Sequence, residues 1–281
     1  MAIRKFSEKK LTGEVLSRIR KTKNARLKQV MSSFIKHLHA FVREAKPTHE
    51  EWFKGIEFLA ATGQWCTGKR NEYILMSDTL GVSMLVDALN YKAGAGATQS
   101  TVLGPFHREQ APEYPLGGNI SKNASDGEPC VVRGTVKDAK GRPVAGAKLD
   151  IWEGGADGLY DSQKGDEMNL RGVFRTDAQG RFHFRCVTPS FYPVPNDGPV
   201  GRMLVATGRH PMRPPHLHFW ITAPGYRPLI THLFVKGGKY LDSDAVFGVK
   251  PALIIDFKKG KDGVASASYD FVLMQEGKRK K

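Results

Sequence analysis

From Arg26 onward the apolar positions recur with a helical period. Leu27, Val30, Met31, Phe34, Ile35, Leu38, Phe41 and Val42 follow i, i+3, i+4, i+7 spacing, which lines them along one face of a helix. Pro47 ends that stretch. Thr48 opens a second helix with Glu51 in the capping-box position, and Trp52, Ile56 and Leu59 form its apolar side as far as Gly63. A third helical region covers residues 72–89, with Gly81 as its expected break. Residues 1–25 are polar, and their start is expected to be mobile. His37 and His39 are two apart on a helix and cannot share a face. They read as core or surface residues, and Met31, Met76 and Met84 read as core filler. Residues 1–100 therefore read as a helical domain.

Gly94, Gly96 and the Ser/Thr residues after them mark a linker, beyond which the period shortens to two. Residues 130–136, 147–152, 172–176, 181–187, 203–207, 216–222, 229–235, 253–257 and 267–274 read as short strands. Gly- and Asn/Asp-bearing turns such as Asn196-Asp197-Gly198 separate them. Short strands at close spacing, without helices between, predict a mostly antiparallel β-sandwich over residues 101–281. The expected class is α+β: a helical domain followed by a sandwich with a basic C-terminal tail.

Composition narrows the function classes. The chain has 281 residues, of which 40% are apolar and 25% charged, enough for a substantial core. Three scattered cysteines, Cys66, Cys130 and Cys186, make no disulfide framework and suit a reducing cytoplasm. No signal peptide or membrane-spanning run stands out. The net charge of +15 sits mostly at the two ends, as solvated tails would, so no specific nucleic-acid partner is expected.

The chemistry gathers between Gly201 and Ala223. In the strand over 216–222, His216 and His218 point the same way with backbones about 7 Å apart, while Leu217, Phe219 and Ile221 face the core. Two imidazoles converging from one strand are a metal-site pattern. The same residues also suit a strand with two ordinary surface histidines. No cysteine stands near for structural zinc, there is no His-Glu-x-x-His, and carboxylates are sparse. Tyr160 follows Asp157-Gly158-Leu159, and Tyr192 stands among Pro189, Pro193 and Pro195. Each suits a turn-anchoring tyrosine or a phenolate donor of the kind Fe(III) prefers.

Together, residues 101–107 (TVLGPFH), 150–161 (DIWEGGADGLYD), 170–177 (LRGVFRTD), 192–201 (YPVPNDGPVG) and 209–218 (RHPMRPPHLH) resemble the intradiol ring-cleavage dioxygenases. The resemblance extends into the helical N-terminus and covers nearly the whole chain. It implies one Fe(III) per subunit held by Tyr160, Tyr192, His216 and His218, with Tyr192 and His216 axial. It also implies a substrate bound as a chelating dianion and Tyr192 departing to take up a proton. Arg213 matches the arginine the family keeps beside the substrate. His232 stands where the catechol-cleaving branch usually has glutamine, either beside the ligands or as a satisfied core histidine. Leu75, Asp78, Val102, Leu103, Gly104, Pro105, Phe106, Val194, Pro195 and Val246 match pocket positions. An aspartate at position 78, and the segments 77–82 (SDTLGV) and 241–249 (LDSDAVFGV), resemble the branch acting on hydroxyquinol, benzene-1,2,4-triol.

The implied reaction is cleavage to 3-hydroxy-cis,cis-muconate, which tautomerises to maleylacetate. Cleavage of catechol to cis,cis-muconate is the alternative within the family. Outside it stand a metal-free β-sandwich binding module and a zinc hydrolase built on His216 and His218. The resemblance further implies a homodimer joined through the helical domain, with a phospholipid between helices. The stripe from Leu27 to Val42 suits that interface or packing on its own domain.

Overall fold

A computed structural model describes residues 7–276 apart from 69, 93 and 95. The outermost basic residues, Arg4, Lys5 and those at 278–281, lie outside the described set. The chain divides into two compact units at Ala60/Ala61.

The first unit carries helices α1 (Glu8–Arg18), α2 (Ala25–Ala45) and most of α3 (His49–Gln64). Asn24 caps α2, its Oδ1 accepting from the Leu27 amide at 2.9 Å. Lys46 ends α2 in the left-handed region, at φ 46°. The capping box forms as the sequence predicts. Thr48 N donates to Glu51 Oε2 at 2.8 Å and Glu51 N to Thr48 Oγ1 at 3.2 Å. The start expected to be mobile lies outside the described residues, and the polar stretch that follows it is helical over Glu8–Arg18. Polar contacts hold α1 to α2, where no apolar stripe announced it. Thr12 Oγ1 lies 3.0 Å from His39 Nδ1, and Arg43 Nη2 donates to Thr12 Oγ1 at 2.7 Å. No residue of α2 is buried. Phe34 and Phe41 are 59% and 61% exposed, so the apolar stripe faces outward from this chain.

In the second unit, the third helical region forms as α4 (Glu72–Thr79) and α5 (Val82–Asn90), broken where the sequence predicts. Gly81 separates them at φ 73°, a conformation that costs a residue without Cβ little. The strands are β1 (Pro129–Asp138), β2 (Lys148–Trp152), β3 (Arg171–Arg175), β4 (Arg181–Val187), β5 (Tyr192–Pro193), β6 (Met212–Arg213), β7 (His216–Thr222), β8 (Leu229–Val235), β9 (Ile254–Ile255), β10 (Lys258–Lys259), β11 (Ala265–Ser268) and β12 (Phe271–Leu273). One sheet runs β10-β11-β1-β12 with β4 also on β1; the other runs β3-β2-β7-β8-β9. Most pairings are antiparallel, while β1·β11, β1·β12 and β8·β9 are parallel.

The sheets face each other across one core. Cys130, Val132, Phe182, Phe184 and Phe271 of the first pack with Leu149, Ile151, Leu217, Phe219 and Ile221 of the second. Phe219 and Phe271 bring their ring centroids to 4.8 Å. The core face predicted for β7 is thus the one observed.

Two elements are corrected. Residues 267–274, expected as one strand, divide between β11 and β12. Residues 203–207, expected as a strand, belong mainly to helix α7 (Pro199–Ala206). Its first helical position is a proline, whose missing N–H costs nothing there. Val200 and Leu204 lie one turn apart and are buried with Leu75. Five apolar and β-branched residues cannot by themselves declare a period; that packing decides it. Helix α6 (Asp161–Lys164) is a single turn begun by Tyr160. Among the described residues no helix is long and apolar enough to cross a membrane.

Candidate metal centre and substrate pocket

Strand β7 aims two imidazoles to one side of the second sheet, as its period of two requires. His216 Nε2 and His218 Nε2 come within 3.1 Å. Tyr160, at the N-terminal end of α6, brings its hydroxyl to 2.9 Å from His218 Nε2. Tyr192, paired with Arg213 across β5 and β6, brings its hydroxyl to 3.3 Å from His216 Nε2. All four side chains are at most 2% exposed.

The surroundings fix their orientation. His216 Nδ1–H donates to the Pro214 carbonyl at 2.7 Å, which leaves the Nε2 lone pair pointing into the cluster. Trp152, opposite His218 in the β2·β7 register, stacks on that imidazole at 4.7 Å and 15°. Phe106 stacks on Tyr160 at 4.3 Å and 18°. The Gly104 backbone, at φ 77°, passes so close that a Cβ there would stand 3.3 Å from His218 Cε1.

Arg213 is the charge at the centre. Nη1 donates to Tyr192 Oη at 3.3 Å and to His216 Nε2 at 3.0 Å; Nε donates to Asp244 Oδ1 at 3.0 Å. Burial alone would lower its pKa, but Asp244 and the tyrosines hold it raised. Burial, with the neighbouring cations, pushes His216, His218 and His232 well below the usual imidazole value. Burial pushes Tyr160 well above the usual phenol value and raises Tyr192 as well. Without a cation, therefore, all four donors are held neutral.

His232 sits on β8 opposite His218. It is fully buried, and its Nδ1 accepts from Arg213 Nη2 at 3.4 Å. With His216 and His218 it makes a buried triad whose ligating atoms all lie within 4.8 Å of one another.

The pocket positions fall into two buried groups. Phe106 packs with Trp152, Tyr160 and Tyr192, with Leu103 against them. Leu75, Val102, Val194 and Val246 pack with Val200 and Leu204. Asp78 is 3% exposed, not on the helix surface. Leu103, Gly104 and Pro105 line a cavity of about 580 Å3, together with Ile74, Asn71 and Arg108. Pro195 is half-buried beside Val194. Asp244 and Trp152 were not singled out from the sequence, although both lie inside quoted segments. Residue type alone gave Asp244 no link to Arg213, which stands 31 positions away.

Residues 102–275 match the family described as Dioxygenase, and residues 24–98 match Catechol dioxygenase N terminus. The chain belongs to the intradiol ring-cleavage dioxygenase family. It is 51% identical to the 6-chlorohydroxyquinol 1,2-dioxygenase of Cupriavidus pinatubonensis, over 96% of this chain and 99% of that one. Against the hydroxyquinol 1,2-dioxygenase of a Rhizobium species it is 48% identical, over 95% and 91%. The crystal structure of hydroxyquinol 1,2-dioxygenase from Pseudomonas putida DLL-E4 superposes with a TM-score of 0.88 at 47% identity, covering 96% of this chain and 99% of that one.

This intradiol dioxygenase offers a donor set that fits a non-haem iron. Two buried imidazole nitrogens 3.1 Å apart, each able to present a lone pair, are spaced as two ligands of one cation would be. Ligands about 2.1 Å from one ion and at right angles would stand about 3.0 Å apart. The observed separations of 2.9, 3.1 and 3.3 Å lie around that value. No carboxylate joins the group, and two phenolates suit a hard ferric ion.

Proposed function

We propose that this chain is a hydroxyquinol 1,2-dioxygenase. It would open benzene-1,2,4-triol between its vicinal hydroxyl-bearing carbons and place both atoms of O2 in 3-hydroxy-cis,cis-muconate, the tautomer of maleylacetate. The observation that carries this reading is the buried, carboxylate-free convergence of two phenols and two imidazoles on one point. Similarity to two enzymes named for hydroxyquinols supports the substrate class.

In this reading Tyr160, Tyr192, His216 and His218 hold one Fe(III) per subunit. A ferric ion held there would supply a Lewis-acid centre for the diol to chelate as its dianion and would make the ring electron-rich enough to react with O2.

The chain's own residues do the rest. Tyr192, a phenolate while it serves as a donor, would take up one of the two protons the diol gives up, since a phenol in this buried setting favours its neutral form, and a hydroxide from solvent would take the other. Arg213, held by Asp244, presents a permanent charge to the substrate oxygens and stabilises the negative charge that develops on them. Asp78 accepts a hydrogen bond from the third hydroxyl, a bond that catechol cannot make. Phe106, Leu75, Val102, Val194 and Val246 keep water from the ring.

We also propose that residues 1–100 serve as the dimerisation domain, with the exposed stripe on α2 as the interface and an acyl chain as a further occupant. Three free thiols suit a cytoplasmic enzyme.

The deciding measurement is the visible spectrum, before and after anaerobic addition of hydroxyquinol or catechol. A broad tyrosinate-to-iron band is expected, shifting with substrate and fading in Tyr160→Phe and Tyr192→Phe. O2 uptake should be faster with hydroxyquinol. Faster uptake with catechol would transfer the assignment to catechol 1,2-dioxygenase. A colourless, iron-replete protein would overturn the ligand set.

A further inference from the structure

Two loops meet at the site, one carrying Tyr160 and one carrying Phe106, and a single buried side chain grips both. Arg171 stands on β3 opposite Trp152 and is 1% exposed. Its Nε donates to Asp161 Oδ2 at 2.6 Å. Its Nη2 donates to Asp161 Oδ1 and, at 3.1 Å, to the Phe106 carbonyl. Asp161 directly follows Tyr160 in the chain. Its carboxylate also accepts from the Ser162 amide at 2.7 Å and from Arg108 Nη1 at 3.2 Å. The rings of Tyr160 and Phe106 are the stacked pair at 4.3 Å. One planar guanidinium therefore holds the neighbour of one ring and the backbone of the other.

Stability is a poor explanation for this arrangement. A buried ion pair repays little more than its desolvation, and apolar residues of similar volume usually serve as well. A fork that reaches two segments at once does supply geometry, which a lysine's single point charge cannot.

We propose that Arg171 and Asp161 are positioning residues that jointly set the Tyr160 phenol as a metal donor and Phe106 as a wall of the substrate pocket. Iron retention and substrate affinity then depend on the same ion pair. This rests on the assignment of Tyr160 as an iron ligand.

The test follows iron loss from the holoenzyme into a strong chelator, read as fading of the visible band. It is run on the wild type, Arg171→Lys, Asp161→Asn, the double variant, Arg108→Ala and Tyr160→Phe, with KM and kcat for hydroxyquinol. Partners of metal ligands typically change affinity about 10- to 100-fold. Arg171→Lys and Asp161→Asn should lose iron faster by that factor, with a displaced band. KM should rise in Arg171→Lys. The double variant should be no worse than the worse single, because the two act as one unit.

Arg108 lies at the outer, more exposed end of the cluster. Arg108→Ala should fold and show a smaller effect in the same direction; if the buried variants fail to fold, this variant decides. Wild-type iron loss and an undisplaced band in the folded variants, or singles that simply add, would overturn the clamp. If Tyr160→Phe loses the band while the clamp variants match wild type, the clamp alone fails. If Tyr160→Phe itself behaves as wild type, the ligand assignment fails and takes the clamp with it.

Discussion

Asp78 is a carboxyl in an apolar pocket, and burial raises its pKa above the usual value against the opposing pull of Ser83 and Arg213. A carboxyl whose pKa rises on folding gives its full contribution to stability below the unfolded value, near 4. That contribution is lost as pH climbs through the raised folded value. Asp78→Asn removes the loss. Thermal melts across pH should therefore show the variant more stable than wild type at pH 8, with the gap closing toward pH 4. The same variant should lose its preference for hydroxyquinol over catechol by about 10-fold or more, the worth of a hydrogen bond to a charged acceptor. A melt difference independent of pH would show that folding does not raise the Asp78 pKa, and an unchanged preference would show that Asp78 is not the group that reads the third hydroxyl.

Among the elements, β1 carries the heaviest constraint. It pairs in parallel with β11 through residues 130–133 and with β12 through 136–138, on the same edge. At the changeover Tyr269 N donates to the Arg133 carbonyl at 3.1 Å. The Tyr269 carbonyl lies where a side chain on residue 134 would go: a Cβ there would stand 1.8 Å from it. Backbone cannot yield as a flexible side chain does. Gly134→Ala should therefore destabilise the protein by about 3 kcal/mol or more, at the upper end of overpacking costs. Urea unfolding would show this as a lower midpoint at unchanged slope. A midpoint within experimental error of wild type would mean that β12 shifts at little cost.

At the scale of the molecule, the first unit presents Leu27, Val30, Met31, Phe34, Leu38, Phe41 and Val42 to solvent. A contiguous apolar stripe of this kind marks an interaction surface. Sedimentation should give twice the 31.1 kDa chain mass. Phe34→Glu combined with Phe41→Glu should yield a monomer that keeps its visible band, because neither residue belongs to the metal centre. A wild-type monomer at micromolar concentration would remove the dimer proposal and leave the stripe unexplained.

Sequence periodicity determined α2 and α3, because their apolar faces repeat over several turns, and it determined the inward face of β7; it did not announce α1. His216 and His218 were legible as a pair for the same reason: two residues apart on a strand must share a side. Tyr160 and Tyr192 were legible only through resemblance, since each stands in a turn whose local chemistry suits an anchoring hydroxyl equally well. Tertiary structure alone decided the remainder. Residues 203–207 became helix when Val200 and Leu204 found a buried face against Leu75. Asp244 acquired its role by meeting Arg213, and Arg171 by reaching both Asp161 and Phe106. Local patterns report which way a side chain points. Which distant group it meets depends on how the chain closes on itself, and the partners that tune this site are 10 to 65 positions apart.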